Sequence, residues 1–96
     1  MANQYKIYVV GNFLEIEDMT NGYFTNIRKQ DVKIVRHNSS NQWYDIFDKG
    51  NSVLSKIFLN QILDENEDPY TFEDFEEFRG CNFGYLVIGW ACNHNN

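Results

Sequence analysis

Cysteine and proline are nearly missing from this chain of 96 residues, which holds two of the first and one of the second. Two cysteines, Cys81 and Cys92, are too few for the disulfide framework of a small secreted domain. The fold must therefore rest on an apolar core, and both are read as free thiols in a reducing compartment. Long apolar runs are lacking as well, so no stretch approaches a transmembrane span. The opening MANQYKIYVV has neither the basic region nor the long apolar run of a secretory signal. A protein that is soluble and intracellular when made is expected.

Positive charge is also scarce. Eight Lys/Arg face fourteen Asp/Glu, a net charge of −6. Residues 1–63 carry seven Lys/Arg and six Asp/Glu, hence +1, whereas residues 64–96 carry one Arg and eight Asp/Glu, hence −7. All of those acids lie between Asp64 and Glu77. Such a surface repels phosphate and argues against direct nucleic-acid binding. In the plain reading it is a solvated helix face that keeps the protein soluble. In the sharper one it meets a basic partner or imitates a phosphate backbone, with Asp64, Glu65, Glu67, Asp68, Glu73, Asp74, Glu76 and Glu77 as the partner-binding residues.

Motifs that carry catalysis are lacking. There is no G-x-S-x-G elbow, Cys–His signature or glycine-rich phosphate loop. Glu15, Glu17 and Asp18 fit an exposed strand edge and turn. Asp64, Asn66 and Asp68 open like a calcium loop, but Pro69 stands where that loop needs glycine and Phe75 where it needs glutamate. Cys81, Cys92 and His94 match no zinc spacing, and His37 sits in a polar loop with no marked partner. Tyr5, Tyr8, Trp43 and Tyr44 could form a stacking platform for single strands, but Lys6, Lys33 and Arg36 are too few to accompany it. The expectation is a non-enzymatic protein without cofactor or metal.

What the chain does have is aromatic residues, sixteen of them, and one well-marked helix. Thr71 precedes Phe72, Phe75 and Phe78, whose spacing puts three rings on one helical face. Thr71 and Asp74 form a capping-box pattern, the acids occupy the dipole-favoured first turns, and Arg79 and Gly80 mark the other end. A helix over about 71–79 is too short to stand alone and must dock its rings on a sheet.

The sheet comes from the preceding residues. Gln4 to Val10 and Phe13 to Glu17 alternate as strands about a Gly11-Asn12 turn. Thr20-Asn21-Gly22 is the next turn, and Tyr23 to Ile27 a short strand. Asp31 to Arg36 and Gln42 to Phe47 flank the loop His37 to Asn41, and Asp48-Lys49-Gly50-Asn51 turns the chain again. Ser52 to Leu63 fits a strand through about Leu59 and then a turn, with a helix as the alternative. Tyr85 to Ala91 reads as a last buried strand. The expected fold is α+β: a small antiparallel sheet or partly open barrel of five to six strands with the short helix packed on it. It forms a single domain over 1–92, with a loose tail at 93–96.

The segment Tyr70-Thr71-Phe72-Glu73-Asp74-Phe75-Glu76-Glu77-Phe78-Arg79, followed by Asn82-Phe83-Gly84-Tyr85, resembles a pattern in short uncharacterised proteins of tailed phages and prophages. Those proteins carry an F-x-x-F helix and an Asn-Thr-Gly-Phe turn after a β region; here Phe83 replaces the Thr and Tyr85 the Phe. The resemblance implies a small virion structural or assembly protein, located in the host cytoplasm or built into the virion. It pairs with copies of itself or with neighbouring proteins. The alternative it implies is an inhibitor of host defence of the anti-CRISPR type, whose acidic 64–77 surface occupies a basic nucleic-acid groove. Both imply protein partners and neither a membrane.

Overall fold

The computed structural model describes residues 3–37 and 42–84. The elements in chain order are β1 (Tyr5–Val10), β2 (Phe13–Asp18), β3 (Phe24–Arg28), a 3-10 turn (Lys29–Asp31), β4 (Val32–His37), β5 (Trp43–Asp48), β6 (Asn51–Phe58), a second 3-10 turn (Leu59–Gln61), β7 (Ile62–Leu63) and α1 (Phe72–Phe83). The α+β architecture is as expected. Among the described residues the strands, however, number seven and divide into two sheets, ordered β3-β2-β1-β7 and β4-β5-β6, and no barrel closes.

Turn chemistry explains the hairpins. Gly11, at φ 58°, sits at the first position of the two-residue loop joining β1 and β2, where tight hairpins need positive φ. Lys49 (φ 53°) and Gly50 (φ 85°) do the same between β5 and β6. Each half of the chain is thus a three-stranded meander ending in a single 3-10 turn. The ambiguous 52–63 segment is β6 followed by such a turn, so the strand reading holds and the helical one does not.

Strand β7 escaped the sequence reading because it is only two residues long. It pairs in parallel with β1, Tyr5 opposite Ile62 and Lys6 opposite Leu63. Parallel pairing needs a long return path, and the whole second meander supplies it. Strand β6 is bulged: Tyr44 pairs with Ile57 and Ile46 with Leu54, so Asp45 faces both Ser55 and Lys56. The extra amide is satisfied, since Lys56 N–H donates to Asp45 Oδ1 at 2.7 Å.

The core lies between the sheets and the helix. Ile7, Leu14, Ile16, Ile27, Ile34, Tyr44, Ile46, Ile57, Ile62 and Phe75 are all buried in one cluster, to which every strand and the helix contribute. Phe75 meets Tyr44 edge-on at 4.7 Å and Tyr70 at 5.1 Å, geometries that aromatic quadrupoles favour. Tyr70 also donates its hydroxyl to the Ile7 carbonyl at 3.0 Å, pinning the approach to the helix against β1.

Thr71 caps α1, its Oγ1 accepting the Asp74 N–H at 3.1 Å. The C-terminal end differs from expectation. The helix runs through Gly80, which is buried, and stops at Gly84 in the left-handed conformation, φ 78°. Packing decides this, because Phe83 continues the aromatic stripe by meeting Phe78 at 5.8 Å. The strand expected at 85–91 and the tail at 93–96 lie outside the described residues.

Cys81 is disulfide-bonded. This corrects the free-thiol expectation for that residue. The chain's other cysteine, Cys92, lies outside the described residues.

Candidate interaction surfaces and a buried ion pair

The helix face turned to the core is Phe75, Glu76, Arg79 and Gly80. Glu76 is only 2% exposed. Arg79 grips it with two parallel bonds, Nε to Oε2 at 2.9 Å and Nη2 to Oε1 at 2.7 Å. Tyr44 donates to Oε2 at 2.8 Å, and Arg79 Nη1 donates to the Ile34 carbonyl at 3.2 Å. Arg36 Nε lies 3.6 Å from Glu76 Oε2, and its guanidinium covers the Phe72 ring at 5.3 Å. Burial by itself would raise the Glu76 pKa. The hydrogen bonds from Arg79 and Tyr44, with the charges of Arg79 and Arg36, outweigh it and hold the carboxyl below its ordinary value. Glu76 is therefore a strut inside the fold and not part of an outward acidic face. Sequence reasoning placed it outside; its position beside Phe75, three before the only arginine of the helix, was the available signal.

The remaining acids divide by exposure. Glu65, Glu67, Asp68, Glu73 and Asp74 are exposed, while Asp64 and Glu77 are half-buried. Residues 64–68 form a closed loop: Asp64 N–H donates to the Asp68 carbonyl at 2.8 Å and Glu67 N–H to the Asp64 carbonyl at 2.9 Å. Asp64 Oδ1 accepts the Asn66 and Asp68 amides at 2.8 and 3.0 Å. The carboxylate that suggested a calcium loop thus holds backbone instead. Lys6 approaches Glu67 at 3.8 Å and Glu17 at 3.5 Å.

On the four-stranded sheet, β3 is an edge with no strand on its outer side among the described residues. Among the described residues the large apolar ones that are exposed all belong to this sheet and its connections: Val10, Phe13, Tyr23 and Phe24. Tyr23 is 74% and Phe24 58% exposed. At the far end of β3 lies a cleft of about 480 Å³ lined by Asn12, Phe13, Arg28, Lys29 and Gln30. The Lys29 N–H bonded to the Asn12 carbonyl at 2.8 Å ties its two walls together. The adjacent cations Arg28 and Lys29 were visible in the sequence but were not singled out, because the cleft joins residues from two separate turns.

The aromatic residues weighed and set aside as a stacking platform do not share one face. Tyr44 is fully buried, while Trp43, beside it on β5, alternates to the opposite face and stacks on His37 at 4.0 Å. His37 is not a loop residue but the end of β4, and its Nε2 lies 2.7 Å from Asp45 Oδ2. Among the described residues no helix is long and apolar enough to cross a membrane. No protein-family model, curated protein or solved structure matches the chain.

Proposed function

We propose that this chain is a non-enzymatic, phage-encoded protein-interaction module, a small virion structural or assembly protein that joins copies of itself through the β3 edge. The observation that carries this reading is the gathering of the exposed aromatic residues Tyr23 and Phe24 at the start of an edge strand that holds no proline and a single charge, Arg28. Unpaired edges of that kind are templates for another strand. Resemblance of the 70–85 segment to short tailed-phage proteins supports the setting.

The test is light scattering on the eluting protein over a range of concentrations. Lys29 N–H points inward to β2, so by antiparallel alternation the Asn26 N–H faces outward. Asn26→Pro blocks pairing there without removing a ladder bond, and Phe24→Lys removes the apolar contact. Both variants should lose mass relative to the wild type. A wild type that stays monomeric at every concentration contradicts the proposal.

A second reading has its own support in the exposed carboxylates Glu65, Glu67, Asp68, Glu73 and Asp74, which suit an inhibitor docking on a basic nucleic-acid-binding host protein. Its binding would weaken with salt. Glu73→Lys with Asp74→Lys would abolish it while leaving β3-edge assembly intact; equal binding by that variant rules the inhibitor out.

A further inference from the structure

The four-stranded sheet carries opposite charge at its two edges. Arg28 and Lys29 stand at the end of β3, and neither makes an ion pair or side-chain hydrogen bond among the described residues. Asp31, the nearest acid in the chain, is engaged with Lys49 at 4.0 Å. At the other edge, β7 runs directly into the 64–68 loop with its exposed Glu65, Glu67 and Asp68. The order β3-β2-β1-β7 puts three strand spacings between these edges, about 14 Å at the usual separation. The cations and the acids therefore do not neutralise each other within one molecule.

Resting on the self-assembly reading, we propose that copies join head to tail, the Arg28–Lys29 cleft of one receiving the 64–68 loop of the next. Charge complementarity selects this occupant. The loop offers a compact group of carboxylates, and the cleft offers two cations, the Asn12 and Gln30 amides as further donors, and the partly exposed Phe13 ring as an apolar wall. The loop is already closed by its own hydrogen bonds, so little ordering entropy is lost on docking. A polyanion such as nucleic acid meets the net charge of −6 instead and is repelled. Because donor and acceptor surfaces differ, the contact is heterologous. It propagates into a ring or a filament, unlike an isologous pairing of two β3 edges.

The experiment is a charge exchange read by light scattering. One variant carries Arg28→Glu and Lys29→Glu, the other Glu65→Lys and Glu67→Lys. Each alone has like charges on both edges and should associate at least about tenfold more weakly than the wild type. Their equimolar mixture, with both contacts complementary again, should recover the wild-type mass. Arg28, Glu65 and Glu67 are exposed, Lys29 is half-buried and Glu67 lies 3.8 Å from Lys6, so circular dichroism checks that each variant is folded. If a double variant unfolds, the single exchange Arg28→Glu with Glu65→Lys replaces it. Wild-type association that neither variant weakens, or a mixture that stays as dissociated as its components, overturns the head-to-tail contact. If Asn26→Pro still dissociates the wild type in that case, the edge reading stands alone. A monomeric wild type removes both.

Discussion

Tyr44 of β5 donates its hydroxyl to the Glu76 carboxylate of α1 at 2.8 Å, with both side chains buried. The bond joins sheet to helix across 32 residues of chain. Arg79 completes it from the next helical turn and reaches on to the Ile34 carbonyl of β4. This polar strut fixes which face of α1 meets the sheets.

Removing one member of the strut leaves a buried charge without its partner. Arg79→Ala and Glu76→Ala are each expected to cost about 3–5 kcal/mol of stability, more than an exposed ion pair contributes. Replacing both, as Glu76→Leu with Arg79→Met, should cost less than the sum of the two truncations. Urea denaturation of the four proteins measures this; additive losses would show that the pair does not act as a unit.

Acid should weaken the fold through the same residue. The folded-state pKa of Glu76 lies below its ordinary value of 4.5. Its contribution is therefore fully present above that value and is lost as pH falls through the lower, folded-state pKa. In Glu76→Gln this part of the acid destabilisation should vanish, leaving a shallower decline below about pH 4.5. Thermal midpoints against pH, wild type beside variant, give the comparison.

Alkali acts on tyrosine with the opposite sign. Burial, reinforced by the Glu76 carboxylate, raises the Tyr44 pKa well above 10.0, and burial with nearby Asp64, Glu65 and Asp74 does the same for Tyr70. The stability from these phenols is complete below their ordinary pKa of 10.0 and is lost as pH rises above it. Ultraviolet titration should show these two phenols ionising only as the chain unfolds. Ionisation of Tyr44 and Tyr70 near 10.0 in the folded protein would contradict this.

The disulfide at Cys81 gives a redox prediction. A thiol reagent should find no reactive Cys81 in the native protein. Reduction should lower stability by about 2–4 kcal/mol, the usual contribution of such a bond. Denaturation with and without a phosphine reductant checks it; an unchanged midpoint would show that the bond does not support the fold.

Local pattern determined much of this molecule. Alternating side chains placed Leu14 and Ile16 inward and Glu15 and Glu17 outward, and Gly11, Gly50 and Thr71 marked turns and a cap whose backbone conformations few residues supply. These features depend on neighbours within a few positions. The four-strand order of the first sheet did not, because it follows from where β7 lands beside β1, at a distance of 57 residues between Tyr5 and Ile62. Nor did the buried face of α1. Phe72, Phe75 and Phe78 repeat every third residue, but a helix turns every 3.6, so the stripe drifts around the axis. Phe75 stays at its centre, Phe72 moves toward the rim beneath Arg36, and Glu76 and Arg79 turn inward. A charge pair can be buried there only because Tyr44 and the Ile34 carbonyl arrive from distant strands to satisfy it. That supply of partners belongs to the tertiary structure.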